Sequence, residues 1–448
     1  MFFRTIVFHI LRHFRQATGH TRLVISGGVG QNSSMNGKIL RSGLFEDVFL
    51  PSFAGDSGCA YGAAAYTAHH RQPELPFAKV SHAYWGTPIQ DTQVGADLDA
   101  WSAFLQIEKM ANRSEQVSDL IIDGAVIGWV QGRSEFGPRA LGNRSIIADP
   151  RIASHKETIN AMIKMREGYR PFAPSILEEQ VRNFFEVPGE QTEFPFMSFV
   201  LNVKPEWRAQ LPAITHIDGS ARLQTVNLET NPRYWELINT FGKKTGVPIL
   251  LNTSFNNNAE PIVDSIDDAV ICYLTSGLDY LVVGDYLACK KTWLPEDLAC
   301  LVVSLPKAAL LLREDRYVSH NERSFSYALV WNYDSARRYL LSEVWYRLLQ
   351  VADGEKTIGE LMVYLDFSAE QRVHIWEELP GLWSDRLLVL RPHVSDDSYY
   401  SHLIEKPSKF LKPATPTFTR NVGRAARAFS GTEPPMARAA RPTMGKAE

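Results

Sequence analysis

The chain has 448 residues, 45% of them hydrophobic and 22% charged, with a net charge of −3 at neutral pH. That length allows two or three domains with cores of their own, and that charge gives no reason to expect nucleic-acid binding by the whole molecule. The four cysteines (Cys59, Cys272, Cys289 and Cys300) show no CxxC spacing, so neither a zinc ribbon nor a disulfide framework is suggested.

Residues 2–18 place Phe3, Ile6, Val7, Ile10, Leu11 and Phe14 at helical spacing, which predicts an amphipathic helix. Arginine and histidine interrupt its apolar residues, so it builds no signal-peptide core. No window approaches the ~18–20 apolar residues of a membrane span, and a cytoplasmic protein is expected. The helix runs into a strand, RLVISGG (22–28), read as buried. A glycine turn, GGVGQN, leads to a second helix, then to DVFLPSF and to AGDSGCAYGAAAYTAHH (54–70). A chain that opens this way looks as though it begins partway through a domain. Residues 71–100 read as a connection.

From 101 to 292 strands and helices alternate. Ser154 and Glu157 form an S-x-x-E capping box, Asn231-Pro232 opens a helix that Gly246 closes, VPILLNTSFN (247–256) is an apolar strand with a polar end, and 279–289 is one further strand. A third unit covers 305–394 with strands, helices and a closing strand. Beyond 397 the apolar pattern fades. Residues 405–448 hold nine Lys or Arg against three Glu, a local charge of 9 − 3 = +6, and 397–448 reads as a disordered basic tail.

The densest chemistry lies in GRSEFGPRALGNRSIIADPR (132–151), which holds four arginines, three of them between the apolar strands VIGWV and SIIA. Glycines 132, 137 and 142 keep the connection in turns. KMREGYRPFAPSIL follows, with Lys164, Arg166 and Arg170 ahead of another strand. Cations converging on one phosphate contribute roughly 1.5–3 kcal/mol each, against about 0–1 kcal/mol for a surface ion pair. Convergence of Arg139, Lys164 and Arg170 on an anion is therefore the reading taken. Arg222 in ARLQTV opens a strand. Ser254 stands at a strand's carboxyl end, where α/β sheets collect ligands, though an ordinary turn hydroxyl is an equal reading. Gly27, Gly28 and Asn32 sit in a strand–turn–helix that either cradles phosphate or serves packing. Asp56, between two glycines, is a metal or ribose ligand or simply a helix cap. The adjacent His69 and His70 point about 100° apart on a helix and read as a solvated end.

These segments together, GGVGQN, AGDSGCAYGAA, GPRALGNRSIIADPR, NAMIKMREGYRPFAPSIL, ARLQTV and NTSFNNNAEPIV, resemble the O-carbamoyltransferases of the nodulation and antibiotic-tailoring type. The resemblance spans roughly residues 20–290. It implies an α/β fold with part of an actin/sugar-kinase-like ATPase subdomain (1–85) and a YrdC-like α/β domain (101–292). The first would perform carbamoyl transfer; the second would make carbamoyl adenylate from carbamoyl phosphate and ATP. Arg139, Lys164, Arg170, Arg222 and Ser254 match positions that grip carbamoyl phosphate and the adenylate, with Asn143 and Arg144 beside them. Asp56 matches an aspartate that ligates a divalent metal, iron or magnesium. The acceptor would be a hydroxyl of a small molecule or peptide.

The chain departs from this pattern twice. The earlier part of the ATPase-like domain, which in relatives supplies a histidine pair for the metal, is not matched. The metal site is then incomplete in this chain, and a separate N-terminal-half polypeptide is an expected partner. Residues 305–394, with Asp353, Gly354, Thr357, Glu360 and Leu361 in a D-G-x-x-T-x-x-E-L stretch, resemble PqqD-like peptide-recognition domains of winged-helix form, which add a leader peptide as a strand. A competing function is thus a non-catalytic scaffold that recruits a peptide. A threonylcarbamoyl-adenylate enzyme acting on RNA fits poorly.

Overall fold

The computed structural model describes residues 2–393 apart from residues 75, 77, 166, 169, 320 and 321. The reading of 397–448 as a disordered tail lies outside the described residues.

In chain order the first elements are α1 (Phe2–Thr18), β1 (Arg22–Val24), α2 (Ser33–Arg41), β2 (Asp47–Phe49) and α3 (Gly58–Arg71). The central run holds α4 (Val94–Asp99), β3 (Leu105–Lys109), α5 (Arg113–Ile122), β4 (Ile127–Val130), β5 (Arg144–Ala148), α6 (Ser154–Met162) and β6 (Ala173–Leu177). It continues with α7 (Val181–Phe184), β7 (Phe185–Glu186), β8 (Phe199–Val203), α8 (Pro205–Arg208), β9 (Ser220–Val226), α9 (Pro232–Thr245), β10 (Ile249–Ser254), α10 (Ile266–Leu274), β11 (Tyr280–Val283) and β12 (Tyr286–Lys290). The last are β13 (Leu301–Ser304), β14 (Ala309–Ser319), β15 (Glu322–Trp331), β16 (Asp334–Leu341), α11 (Glu343–Gln350), α12 (Ile358–Tyr364), α13 (Ala369–Ser384) and β17 (Val389–Pro392).

The expected α/β fold is observed. Ten strands form one mixed sheet in the order β3-β12-β11-β4-β5-β10-β6-β9-β8-β7. One face carries Ile127, Trp129, Ile147, Leu177, Val226, Leu250 and Val282, packed beneath α5 and α9. The opposite face joins a larger core that runs from α2 and β2 to α11, α12 and α13.

Several local expectations hold. Asn231 caps α9 by accepting from the Tyr234 N–H at 3.3 Å, and Gly246 ends it with φ 76°. Two do not. Ser154 makes no cap, because the turn before α6 already satisfies the first N–H groups: His155 and Lys156 donate to the Ile152 and Ala153 carbonyls. The stretch 279–289 is not one strand but the hairpin β11–β12, turned at Gly284 with φ 57° and Asp285.

The N-terminal elements behave differently from the sheet. β1 pairs in parallel with β2 alone, and Val24 on it is 68% exposed, so the strand expected to be buried is not. On α1, Val7 and Leu11 face the core while Ile6, Ile10 and Phe14 face outward; α3 buries none of its residues. α2 is the anchor. A Cβ on Gly37 would stand 1.9 Å from the Val200 carbonyl oxygen, so only glycine lets α2 approach β8 this closely. Asn36 and Arg41 donate to the Ser198 and Val200 carbonyls across the same contact.

The third unit sets α11 against the antiparallel sheet β14-β15-β16, and β17 returns to pair with β13. Its D-G-x-x-T-x-x-E-L stretch has a local explanation. Asp353 accepts from the Glu355 and Lys356 N–H groups, Gly354 takes φ 78°, and Thr357 and Glu360 form a reciprocal capping box on α12.

Candidate functional site

On the α5/α9 face, five adjacent strands change character toward one end. Leu250 gives way to Asn252 and Ser254 on β10, Leu177 to Ser175 on β6, and Val226 to Gln224 and Arg222 on β9. Ile147 gives way to Ser145 on β5, and Trp129 to Gln131 just past β4. Strand alternation puts each series on one face, and the pairing directions send all five changes to the same end. The helices cover the apolar half; the arginine-rich loop 132–143 folds over the polar half.

That loop is fixed by a buried network. Asn252 donates to the Ser175 hydroxyl (3.0 Å), the Gln224 side chain (3.1 Å) and the Ala140 carbonyl (3.4 Å), while Gln224 donates to the Leu141 carbonyl at 2.7 Å. Gln131, Asn143 and Asn231 hydrogen-bond one another. Glu135 accepts from the N–H groups of Leu141, Asn143 and Arg144, yet burial still pushes its carboxyl up from the usual range. On its other side the loop rests on the N-terminal segment: Ser52 donates to the Phe136 carbonyl, and Phe53 packs on Phe136 and Trp85.

Arg144 and Asn143 are consumed by this scaffold. The Arg144 guanidinium is fully buried and donates to the main-chain carbonyls of Gln131, Gly132, Asn143, Thr87 and Asp264. The Asn143 side chain donates to the Arg133 carbonyl at 2.7 Å. Arg139 differs. It is half-buried, burial lowers its pKa with no carboxylate to offset that, and it has no hydrogen-bond or ion-pair partner among the described residues.

Lys164 and Ser254 meet directly. Lys164 is 6% exposed, and its ammonium donates to the Ser254 carbonyl (2.6 Å) and hydroxyl (3.2 Å) and to the Asn256 carbonyl (2.8 Å) and side chain (2.7 Å). Ser254 lies two residues on from Asn252, and Arg222 two back from Gln224. Because β10 and β9 run in opposite directions, both fall toward the same end, with Arg222 level with Asn252 and Ser254 two residues further, roughly 12 Å apart. Arg170 is exposed just before β6, its carbonyl held by Asn160.

The remaining sequence candidates lie outside this cluster. Asn32 is spent as the cap of α2, accepting from the Met35 N–H at 3.0 Å. Gly27, with φ 99°, and Gly28 border open space.

One cluster escaped the sequence reading. In the HIDGSAR stretch ahead of Arg222, Ser220 donates to Asp218 at 2.5 Å and so accepts from His216 Nδ1 at 3.1 Å. Burial, opposed by Asp218 and aided by Arg222 and Lys156, lowers the His216 pKa. The H-x-D-G-S spacing was the available signal.

Two family models match the chain: the carbamoyltransferase C-terminus over residues 118–290 and the carbamoyltransferase N-terminus over residues 1–65. The chain is 48% identical over 394 residues, 88% of its length, to nodulation protein NolNO of Sinorhizobium fredii. It is 45% identical over 388 residues, 86% of its length, to nodulation protein NolO of Bradyrhizobium diazoefficiens, of which it spans 71%. The chain belongs to the carbamoyltransferase family. It is also 37% identical over 265 residues, 59% of its length, to the 3'-hydroxymethylcephem-O-carbamoyltransferase of Amycolatopsis lactamdurans. It spans 58% of NolNO and 48% of the cephem enzyme.

Within this carbamoyltransferase chain, no group of three His, Cys, Asp or Glu side chains is placed to hold a metal among the described residues. Asp56 is exposed in the turn before α3, where its carbonyl accepts from the Cys59 N–H. One exposed carboxylate does not make a metal site. A recess of about 380 Å³ between β2 and residues 190–199 is lined by Glu46, Asp47, Glu190 and Glu193 against Lys79 alone, which disfavours a phosphate there. No helix among the described residues is long and apolar enough to cross a membrane.

Proposed function

We propose that this chain forms carbamoyl adenylate for an ATP-dependent O-carbamoyltransferase whose acceptor is a hydroxyl of a specialised metabolite or a modified peptide. The observation that supports this most is Arg139, a half-buried guanidinium with no carboxylate partner among the described residues, set beside a hydrogen-bonded scaffold. A buried cation left uncompensated costs stability, and an anionic ligand removes that cost.

The substrates are two anions whose mutual repulsion must be offset. In the proposed sequence water cleaves carbamoyl phosphate to phosphate and carbamate. A carbamate oxygen then attacks the α-phosphorus of ATP and expels pyrophosphate, leaving carbamoyl-AMP. The acceptor hydroxyl attacks the carbamoyl carbon, loses its proton, and AMP departs. Arg139, Lys164 and Arg170 neutralise phosphate charge, while Arg222 and Ser254 hold the adenylate. Catalysis is then positioning and charge stabilisation, with no covalent enzyme intermediate.

Final transfer, in this proposal, uses the completing half of the N-terminal domain, in the same or a second polypeptide, together with any divalent metal that half ligates. The outward apolar residues of α1, β1 and α3 are the surface it would cover. Incubating the protein with ATP and carbamoyl phosphate and measuring pyrophosphate tests the first stage. Carbamoyl-phosphate-dependent pyrophosphate release is expected; its absence in a folded sample argues against the assignment.

A further inference from the structure

We propose that the C-terminal helical unit positions the anion-binding ammonium of Lys164 through a brace built from Glu260 and Arg386, a role that rests on the carbamoyl-phosphate reading above. Arg386 follows α13 and takes φ 58°, which turns its side chain back toward the sheet unit. Its Nε and one terminal nitrogen hold the two carboxylate oxygens of Glu260, at 2.7 and 2.8 Å. Both side chains are largely shielded, at 14% and 13% exposed. Arg386 also donates to the Trp383 carbonyl at 2.8 Å, which ties it to the helix end.

From Glu260 the connection runs to the site in two steps. The Glu260 carbonyl accepts from the Asn256 side-chain amide at 2.8 Å, and the Asn256 side-chain oxygen accepts from both Lys164 (2.7 Å) and the Ser254 hydroxyl (2.7 Å). Asn257, buried beside it, donates to the Ser384 carbonyl at 3.2 Å and accepts from the Ala259 N–H. Loop 254–260 is thus held at one end by α13 and holds Lys164 with the other.

The charges explain why an arginine is needed there. Asn256 touches both ends of this link, donating to the Glu260 carbonyl and accepting from Lys164. A bidentate guanidinium fixes both carboxylate oxygens of Glu260. Without it, Glu260 is a shielded anion held by the Asn257 N–H at 3.2 Å, and its charge then competes with a phosphate for Lys164. Arg386 and Glu260 are positioning residues in this scheme, since neither needs to touch the substrate.

The test uses the full chain and compares wild type, Arg386→Gln, and the double variant Glu260→Gln/Arg386→Gln, by pyrophosphate release at varied carbamoyl phosphate. The single variant should raise KM for carbamoyl phosphate roughly tenfold, the scale of one partly screened charge beside the site, with a smaller change in kcat. The double variant should recover most of that loss, because the competing carboxylate is gone. A merely structural joint predicts that the double variant is as impaired as the single one, and that result overturns the proposal. An unchanged KM in a folded Arg386→Gln protein overturns it too. If wild type releases no pyrophosphate, the reading beneath the proposal fails, and the proposal with it.

Discussion

The two halves of loop 132–143 and its sheet face use the same residue types to opposite ends. In the inner half, Arg144, Asn143, Gln131, Asn231, Gln224 and Asn252 spend themselves on main-chain carbonyls and on one another. In the outer half, Arg139 is half-buried without an acceptor among the described residues, and Arg170 is exposed. The inner half makes the outer one feasible: a loop clamped by buried amides can hold a cation where its own energetics would reject it. Polarity alone therefore does not mark a binding site.

The largest effect is expected from Arg144→Met. It removes donors to five main-chain carbonyls in a buried site, and a loss of about 3–5 kcal/mol in urea unfolding is expected. A loss under about 1 kcal/mol would show that Arg144 is not the clamp.

Another buried cation on the sheet sharpens the point through pH. Burial pushes the Lys290 ammonium down to about 8, with Asp279 offsetting part of the shift. The unfolded chain then binds more protons than the folded one between that value and the ordinary lysine range, so stability rises with pH across it. Between pH 7 and 9 the rise should amount to about 1–1.5 kcal/mol, read as the difference from Lys290→Met. That difference is needed because the buried Cys272 thiol, pushed up, acts in the opposite sense at higher pH. Identical pH profiles for the two proteins would contradict this reading.

Within the inner network, Asn252→Ala leaves the Ser175, Gln224 and Ala140 acceptors short of a donor. A cost of about 1–3 kcal/mol is expected, with activity falling because the loop loosens. The smallest effect belongs to Thr357→Ala, about 1 kcal/mol from the lost capping box on α12. A much larger loss would mean that the motif does more than cap.

Much of this architecture could be read from the sequence where local rules decide. The Asn231 cap, the Gly246 stop and the glycine turns in 132–142 each rest on the chemistry of a few neighbouring residues. The hairpin at Gly284 was hidden because β11 and β12 are both apolar and a two-residue turn barely interrupts them. Arg139 and Arg144 look alike in sequence, since only strand register decides which is enclosed. The link from Glu260 to Arg386 joins residues 126 positions apart and has no local signature. Ser154 shows the converse error: a correct cap pattern goes unused when the preceding turn already supplies the acceptors.

The central claim is that Arg139 is held unpaired for an anion. The direct measurement is calorimetric titration of carbamoyl phosphate into wild type and Arg139→Ala, with the urea stability of each. The account predicts that Arg139→Ala binds at least about tenfold more weakly, one or more charge-assisted contacts being lost, while its stability without ligand is equal to or higher than wild type. Unchanged carbamoyl phosphate affinity, or a variant clearly less stable without ligand, would contradict it.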